Sequence, residues 1–381
     1  MAGGKLEEVR QYLRQQPVML ALLAVLAVIF FTAVTGLSRA YQAQRQSLGS
    51  RWFSRGMVDL QARRFDSAVT EFRSALLYSR DNYAYQLNLA EALIGVKRTG
   101  EASSYLVNLW DRQPEDGVVN LELARIAVQR GQTEQALRYY HNAIYSAWST
   151  DQEDNRREAR LELIEFLLST NTKAQAQAEL IALEENLGDD PSQQQRVGDL
   201  FLRAQDYEHA LGAYRLSLKA ERDNGAALAG AGLAAFQLGR YPQAQHYLQA
   251  AVAENAGNAL IADRLKTTDL VLEMDPFRRQ ISVAQRHKVA VEAFETAGRR
   301  LQACGAARSP ALPTASQTSL SGSWAKLKPR MTEGELRRDP DLVEAGMDLV
   351  FEIERETSAT CGTPSGADAA LLLIAKLHEG N

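Results

Sequence analysis

Small residues recur along this chain at intervals of 34 positions, and this period limits the fold more than any other feature. Alanine stands at each step, with one shift of six residues after the third copy: Ala68, Ala102, Ala136, Ala176, Ala210 and Ala244. Four positions later, the first three copies carry Phe72, Leu106 and Tyr140. Seven positions later, the first three copies carry Ala75, Leu109 and Ala143, and the sixth carries Ala251. Twelve positions before the alanine stand Gly56, Ala90, Ala124, Ile164, Gly198 and Gly232.

Each copy is interrupted near its middle by residues that favour turns. The six interruptions read QARRFD, VKRTG, QRGQT, STNTK, RAQDY and QLGRY, and each separates two helical runs. Gly and Ala on facing helices allow two backbones to approach closely, which explains why small residues surround one large side chain. The pattern predicts an all-α chain of six helical hairpins, with the six-residue insertion in the charged segment 149–159.

Hairpins of this length and composition resemble the tetratricopeptide repeat (TPR). The resemblance is carried by Trp52, Gly56, Ala68, Phe72 and Ala75 in the first copy, by Leu89, Ala90, Ala102 and Pro114 in the second, and by Gly232, Tyr241, Ala244 and Ala251 in the sixth. It covers residues 49–258, in copies that start near 49, 83, 117, 157, 191 and 225. A closing proline occurs only at Pro114, and the fourth copy departs from the pattern at Ile164 and Gln177. The resemblance implies an α-solenoid of a bacterial type.

In this family the first helix of each pair lines a concave face that binds peptides or protein segments. The resemblance places in such a groove Met57, Gln61, Glu91, Arg125, Gln129, Glu165, Asp199, Arg203 and Gln237. We interpret this surface as acidic toward Glu165 and Asp199 and suited to a segment with basic residues. The alternative is that these are ordinary solvated helix positions. Leucine or phenylalanine replaces the first lysine of a carboxylate clamp, at Phe53, Leu87 and Leu121, which argues against a clamp.

An aromatic segment, 138–148, precedes the insertion. Tyr140 belongs to the repeat core. Tyr139, Tyr145 and Trp148 are candidates either for anchoring a partner or for packing across the irregular junction. We favour packing.

Residues 17–37 contain no charged side chain and form an apolar run long enough to cross a membrane. As a helix this run would span about 30 Å, which matches the hydrocarbon core of a bilayer. A cleaved signal peptide has a shorter apolar stretch and a small-residue cleavage site. We therefore predict a short N-terminal arm (1–16), a transmembrane helix (17–37) and a juxtamembrane linker (38–48), in the cytoplasmic (inner) membrane.

Basic residues do not decide which side of the membrane the repeats occupy, because three precede the span and three follow it closely: Lys5, Arg10, Arg14, Arg39, Arg45 and Arg51. We expect the extracytoplasmic, periplasmic side, the common arrangement for one N-terminal anchor. Two cysteines bear on this question. Cys304 and Cys361 are either a disulfide that ties the C-terminal helices to the array or two free thiols. A disulfide favours the extracytoplasmic side.

Beyond the repeats, the pattern predicts capping helices over 259–303, a loop over 304–323 and a helical segment over 324–381. The loop is predicted because 308–323 is rich in Pro, Ser, Thr and Gly. Repeat arrays need a terminal unit to cover the last apolar face.

The net charge of −4 supplies no basic face for nucleic acid. Five scattered histidines and the lack of phosphate-loop or nucleophile motifs indicate no enzyme, cofactor or metal site.

The sequence favours a membrane-anchored scaffold that binds proteins, by analogy in envelope complex assembly or as a periplasmic chaperone-like factor. Two alternatives stay open. One is a regulatory or catalytic segment over 278–381, with Glu352, Glu354 and Glu356 as candidates; the other is a self-associating structural protein.

Overall fold

A computed structural model describes residues 3–146, 148, 153–185, 187–307 and 315–379. The described residues are almost entirely helical and contain no β-strand. The first twelve helices are α1 Gly3–Gln61, α2 Phe65–Tyr78, α3 Tyr83–Gly95, α4 Thr99–Arg112, α5 Gly117–Gln129, α6 Thr133–Tyr145, α7 Glu153–Ser169, α8 Lys173–Glu184, α9 Pro191–Arg203, α10 Tyr207–Ala220, α11 Gly225–Gln237 and α12 Tyr241–Glu254. The remaining six are α13 Ala259–Met274, α14 Val283–Ala307, α15 Ala315–Leu327, α16 Glu333–Arg338, α17 Asp341–Cys361 and α18 Gly366–Leu377. The predicted fold class, all-α with consecutive helical hairpins after a long apolar helix, is confirmed.

The chain divides into two compact units, Met1–Leu163 and Ile164–Asn381, and the division falls inside α7. In the first unit the end of α1 pairs with α2, and α5 pairs with α6; in the second, α9 pairs with α10 and α11 with α12. The small-residue positions lie at these helix contacts: Ala68 and Ala75 are fully buried beside Phe72. A Cβ atom on Gly56 would lie only 2.6 Å from the Phe72 ring, so this approach requires glycine.

Each hairpin turns through a residue in the left-handed conformation, and these residues follow the same period. They are Arg63, Lys97, Gly131, Asn171, Gln205 and Gly239, with φ between 57° and 71°. In every case the next residue donates its N–H to the carbonyl five positions back, as from Arg64 to Asp59 at 2.8 Å. This is the Schellman ending of a helix. For Arg63, Lys97 and Gln205 this conformation is less favourable in free energy by about 1 kcal/mol than it would be for glycine.

The first helices of the pairs begin at side-chain caps that the sequence analysis did not use. The capping residues are Asn82, Asp116, Asp190, Asn224 and Asn258, and each side chain accepts a hydrogen bond from a backbone N–H two or three residues later. Asn258 follows Asn224 by 34 residues, so α13 starts in the register of a further repeat. A period of Asn and Asp is the signal that would have found these caps.

Three segments differ in structure from the sequence-based expectation. The linker at 38–48 is helical, because α1 continues without a break into the first hairpin. The helix α7 starts at Glu153 and so takes up part of the charged insertion; residues 149–152 lie outside the described residues. The third difference lies in the predicted loop at 304–323: residues 304–307 end α14, and residues 315–323 belong to α15.

Tertiary contacts explain why α15 is helical despite its Ser- and Gly-rich composition. Leu320 is buried, and the Trp324 ring stacks on Phe294 with 5.8 Å between ring centroids. The Trp324 Nε1–H donates to the Phe294 carbonyl at 3.3 Å. Gly298 makes room, since a Cβ there would lie 2.3 Å from the indole. The intrinsic helix propensity of a segment is a weak determinant of its structure, and tertiary packing of this kind overrides it.

The C-terminal helices pack onto α13 and α14 within the second unit, where α13 contacts α18 and α14 contacts α17. Cys304 at the end of α14 and Cys361 at the end of α17 form a disulfide, with 5.7 Å between their Cα atoms. His378 Nε2 lies 3.3 Å from Asp275 Oδ1, and its ring contacts Phe277. The helices α14, α17 and α18 are therefore packed together with α13, which follows the repeat array.

Candidate functional site

The nine residues assigned to the groove divide between the two compact units, with Met57, Gln61, Glu91, Arg125 and Gln129 in the first and Glu165, Asp199, Arg203 and Gln237 in the second. Gln61 and Gln129 are exposed in the first unit, and Gln237 is exposed in the second. Met57 is half-buried against the core of the first unit. The five charged residues fall into two groups, Glu91 with Arg125 in the first unit and Glu165, Asp199 and Arg203 in the second.

The first group belongs to a charged cluster on α3, α5, α6 and α7, which we define as Glu91, Glu122, Arg125, Tyr140 and Glu162. Arg125 Nη1 donates to Glu122 Oε1 at 2.5 Å. Its Nη2 donates to Glu162 Oε1 at 2.5 Å, and its Nε lies 3.1 Å from both Glu162 oxygens. The Tyr140 hydroxyl, from α6, donates to Glu162 Oε2 at 3.4 Å. One guanidinium thus holds two carboxylates on neighbouring first helices.

The charged cluster carries more negative than positive charge, because three carboxylates share one guanidinium. Burial raises the pKa of Glu122, and the Glu162 carboxylate adds to that effect while Arg125 opposes it. The Glu91 side chain keeps contact with solvent, yet loss of water around its carboxyl raises its pKa, with a further increase from Glu122. A cation placed beside these carboxylates would stabilise their charged forms. The cluster is therefore chemically suited to receive a basic group.

The second group has its own partners. Arg203 Nη1 lies 2.8 Å from Glu165 Oε2, and Asp199 Oδ1 accepts a hydrogen bond of 2.6 Å from the Tyr214 hydroxyl. The sequence placed the acidic end of the groove at Glu165 and Asp199, which stays a prediction, and the structure adds a group of carboxylates in the first unit at Glu91, Glu122 and Glu162. Glu122 and Glu162 were missed. The available signal for Glu122 was its place three residues before Arg125 on one helix.

Two of the three candidate aromatic anchors are packed. Trp148 donates its Nε1–H to the Ala143 carbonyl at 2.6 Å, and its ring lies against Gly117, where a Cβ would approach to 2.5 Å. Tyr139 meets Trp110 edge-on at 6.3 Å between centroids. Tyr145 is 70% exposed and stacks on His141. The structure therefore favours the packing interpretation for Trp148 and Tyr139.

The glutamates considered for catalysis on α17 do not converge. Glu354 is fully buried, whereas Glu352 is exposed on the same helix. Arg300 Nε lies 3.4 Å from Glu354 Oε2 and donates to the Thr357 hydroxyl at 2.8 Å. Asp368 Oδ2 lies 3.4 Å from Arg300 Nη1. Among the described residues, no group of three or more His, Cys, Asp or Glu side chains is arranged to hold a metal ion.

Solved structures that are similar to this chain include proteins described as TPR proteins. No protein-family model and no curated protein matches the chain. YrrB, a TPR protein with an unusual peptide-binding site, is 14% identical with a TM-score of 0.41, over 50% of this chain and 95% of that one. PilF of Pseudomonas aeruginosa is 16% identical with a TM-score of 0.42, over 57% of this chain and 96% of that one. The C-terminal part of a TPR repeat-containing protein from Cytophaga hutchinsonii is 11% identical with a TM-score of 0.45, over 81% of this chain and 98% of that one.

Proposed function

We propose that this chain is a membrane-anchored TPR-type scaffold and that its charged cluster binds a cationic segment of a protein partner. The observation that carries the proposal is the imbalance of the cluster, which contains three carboxylates, those of Glu91, Glu122 and Glu162, and one guanidinium, that of Arg125, which pairs with Glu122 and Glu162. A lysine or arginine of the partner would pair with Glu91 and Glu122, the two carboxyls whose pKa values are raised by burial. Hydrogen bonds between ionised groups are about twice as strong as neutral ones.

The role of Arg125 in this proposal is to hold the two sides of the binding surface together. Its bonds to Glu122 on α5 and Glu162 on α7 fix carboxylates from two successive repeats in one place. A preformed surface loses little conformational entropy when a partner binds. Glu91, which has no such bond to Arg125, remains the most accessible acceptor for the partner's cation.

The anchor is proposed from the exposed apolar side chains of α1. Residues 19–37 of this helix are almost all exposed, with Phe30 at 69% and Phe31 at 70%. The helix is long and apolar enough to cross a membrane, although a signal sequence would meet the same criteria. Contiguous exposed apolar surface of this size needs a bilayer or a partner to cover it. Anchoring raises the local concentration of partners at one membrane, which suits envelope complex assembly or a chaperone-like role beside the inner membrane.

We place the repeats on the extracytoplasmic side, and the disulfide supports this placement because such bonds persist in oxidising compartments. Intact cells would be treated with a membrane-impermeant maleimide, with and without prior reduction. We expect label on Cys304 and Cys361 only after reduction. If the cysteines react fully after lysis without reductant but never in intact cells, the array lies in the cytoplasm and the placement is wrong.

The binding proposal is tested by titrating the full chain, in nanodiscs, with a fluorescent lysine- and arginine-rich peptide. Because the pKa values of Glu91 and Glu122 are raised, acidification protonates them earlier than exposed carboxyls and removes their attraction for the peptide. We expect affinity to fall about tenfold between about pH 8 and about pH 5, and also to fall with added salt. The control is a peptide of the same length with serine in place of each basic residue. Equal affinity for both peptides, or no response to pH, would contradict the proposal.

A further inference from the structure

A second charged surface in the first unit is positive. A cavity of about 870 Å³ opens between α1, α2 and α4, and its lining includes Arg45, Arg73, Arg80 and Arg112 but only one carboxylate, Asp81. We call it the arginine pocket. Leu76, Leu77 and Tyr105 supply apolar surface beside the guanidinium groups. It is distinct from the charged cluster, with which it shares no residue.

The arginine pocket has a defined geometry. Arg45 Nη2 donates to the Leu77 carbonyl at 3.1 Å, which ties α1 to the end of α2. The turn that carries Arg80 is held by a 2.8 Å hydrogen bond from Gln86 Nε2 to the Arg80 carbonyl. Arg112 pairs with Asp81 at 3.0 Å.

Two positive charges remain in the arginine pocket after ion pairing. Arg112 is paired with Asp81, and Arg73 is paired with Glu101 at 2.8 Å. Arg45 and Arg80 have no carboxylate partner among the described residues, so four arginines less two carboxylates leave two cations. Planar guanidinium groups match the oxygens of a phosphate, which they bind in bidentate fashion.

The position of the arginine pocket follows from the continuity of α1. Arg45 lies eight residues beyond Leu37, where the apolar run ends. Since α1 is one unbroken helix, this separation is about 12 Å along its axis. The headgroup layer extends about 5–8 Å beyond the hydrocarbon core on each side. The pocket edge therefore lies just outside that layer, within reach of flexible arginine side chains.

We propose that the arginine pocket binds the phosphate of an anionic phospholipid headgroup in the membrane that holds α1, an inference that rests on the proposed anchor. Proximity to the bilayer favours a lipid over an acidic peptide, and exposed Leu77 adds apolar surface beside Arg45. Lipid binding would orient the first hairpins with respect to the membrane surface and so hold the charged cluster at a defined height above it.

The test uses the full chain in nanodiscs of zwitterionic lipid with or without a fraction of phosphatidylglycerol. Hydrogen exchange of residues 76–82 and 104–112 reports occupancy of the pocket, and native mass spectrometry reports retained anionic lipid. We expect slower exchange and retained phosphatidylglycerol only in the anionic discs. The Arg45→Gln/Arg80→Gln variant leaves no carboxylate without its ion-pair partner. It should lower the retention of phosphatidylglycerol about fivefold for each arginine removed.

The control variant is Arg51→Gln, which removes one charge from an exposed position on the same helix outside the pocket. If Arg51→Gln reduces retention as much per charge as the pocket variant, the interaction is general surface attraction and the proposal is wrong. Inorganic phosphate or an acidic peptide that protects the same residues in zwitterionic discs, without any response to anionic lipid, would also overturn it. Failure of the chain to float with vesicles would contradict the anchor itself, a result separate from pocket binding.

Discussion

Replacing Glu354 by glutamine is expected to increase the stability of the second unit by about 2–4 kcal/mol above pH 8. Burial raises the pKa of Glu354 to about 8, and the nearby Asp368 charge adds to the increase while Arg300 opposes it. The folded state therefore binds the carboxyl proton of Glu354 more tightly than the unfolded state, in which the pKa of this carboxyl is 4.5. Stability is fully retained below pH 4.5, falls as pH rises from there to about 8, and stays reduced above that.

The glutamine variant removes this loss because its side chain is neutral at every pH. Arg300 keeps hydrogen bonds to the Thr357 hydroxyl and the Gly362 carbonyl, so the substitution leaves the guanidinium with partners. Calorimetric unfolding of the full chain between about pH 5 and about pH 9 measures the effect. The matched control is Glu352→Gln, an exposed position on the same helix. An unchanged pH dependence in Glu354→Gln, or a variant less stable than the parent at high pH, would show that Glu354 does not stay protonated.

The second large effect is expected from Glu91→Gln/Glu122→Gln in the charged cluster. Two charge-assisted hydrogen bonds to a partner's cation would be weakened, and at about 1.5 kcal/mol each the affinity for the cationic peptide should fall about 100-fold. Folding should survive, because both carboxyls have raised pKa values and so gain nothing from being charged in the free protein. Glu162 is left unchanged because it holds Arg125 and accepts from Tyr140.

The control for this variant is Glu115→Gln/Glu134→Gln, which removes the same charge from exposed positions of the first unit. Peptide titration of both variants at neutral pH makes the comparison, and thermal unfolding checks that each is folded. If the control loses as much affinity as the cluster variant, attraction depends on net charge alone. If neither loses affinity, the peptide binds elsewhere and the proposed site is wrong.

The hairpins could be predicted because their determinants are local and repeat. Ala68, Phe72 and Ala75 lie on one face of a single helix, and Gly56 faces that ring from the preceding helix, so spacing alone identifies the contact. The composition of the turn segments also predicts the turns, although Lys97 and Gln205 adopt a left-handed conformation that their residue types do not favour. There the turn is imposed by the two helices that it joins.

The charged cluster was predicted only in part. Glu91 and Arg125 were found through their equivalent places in successive repeats, but the partners of Arg125 depend on how closely α5 and α7 approach across the irregular junction. That approach follows the insertion, which the sequence marks only by its charge. In the second unit, the partners of Asp199 and Glu165 are Tyr214 and Arg203, and these contacts also depend on the tertiary structure.

The sequence by itself therefore determined the helical hairpins and their turns through periodic residues, and the long apolar helix through an uninterrupted apolar run, because each depends on neighbours a few positions apart. Tertiary structure alone decided the helix at 315–327, the burial of Glu354 beside Arg300 and the arginine pocket between α1, α2 and α4. These features join residues that no period relates, such as Phe294 with Trp324 or Arg300 with Glu354. Their energies come from burial and charge at contacts that exist only once the chain has folded.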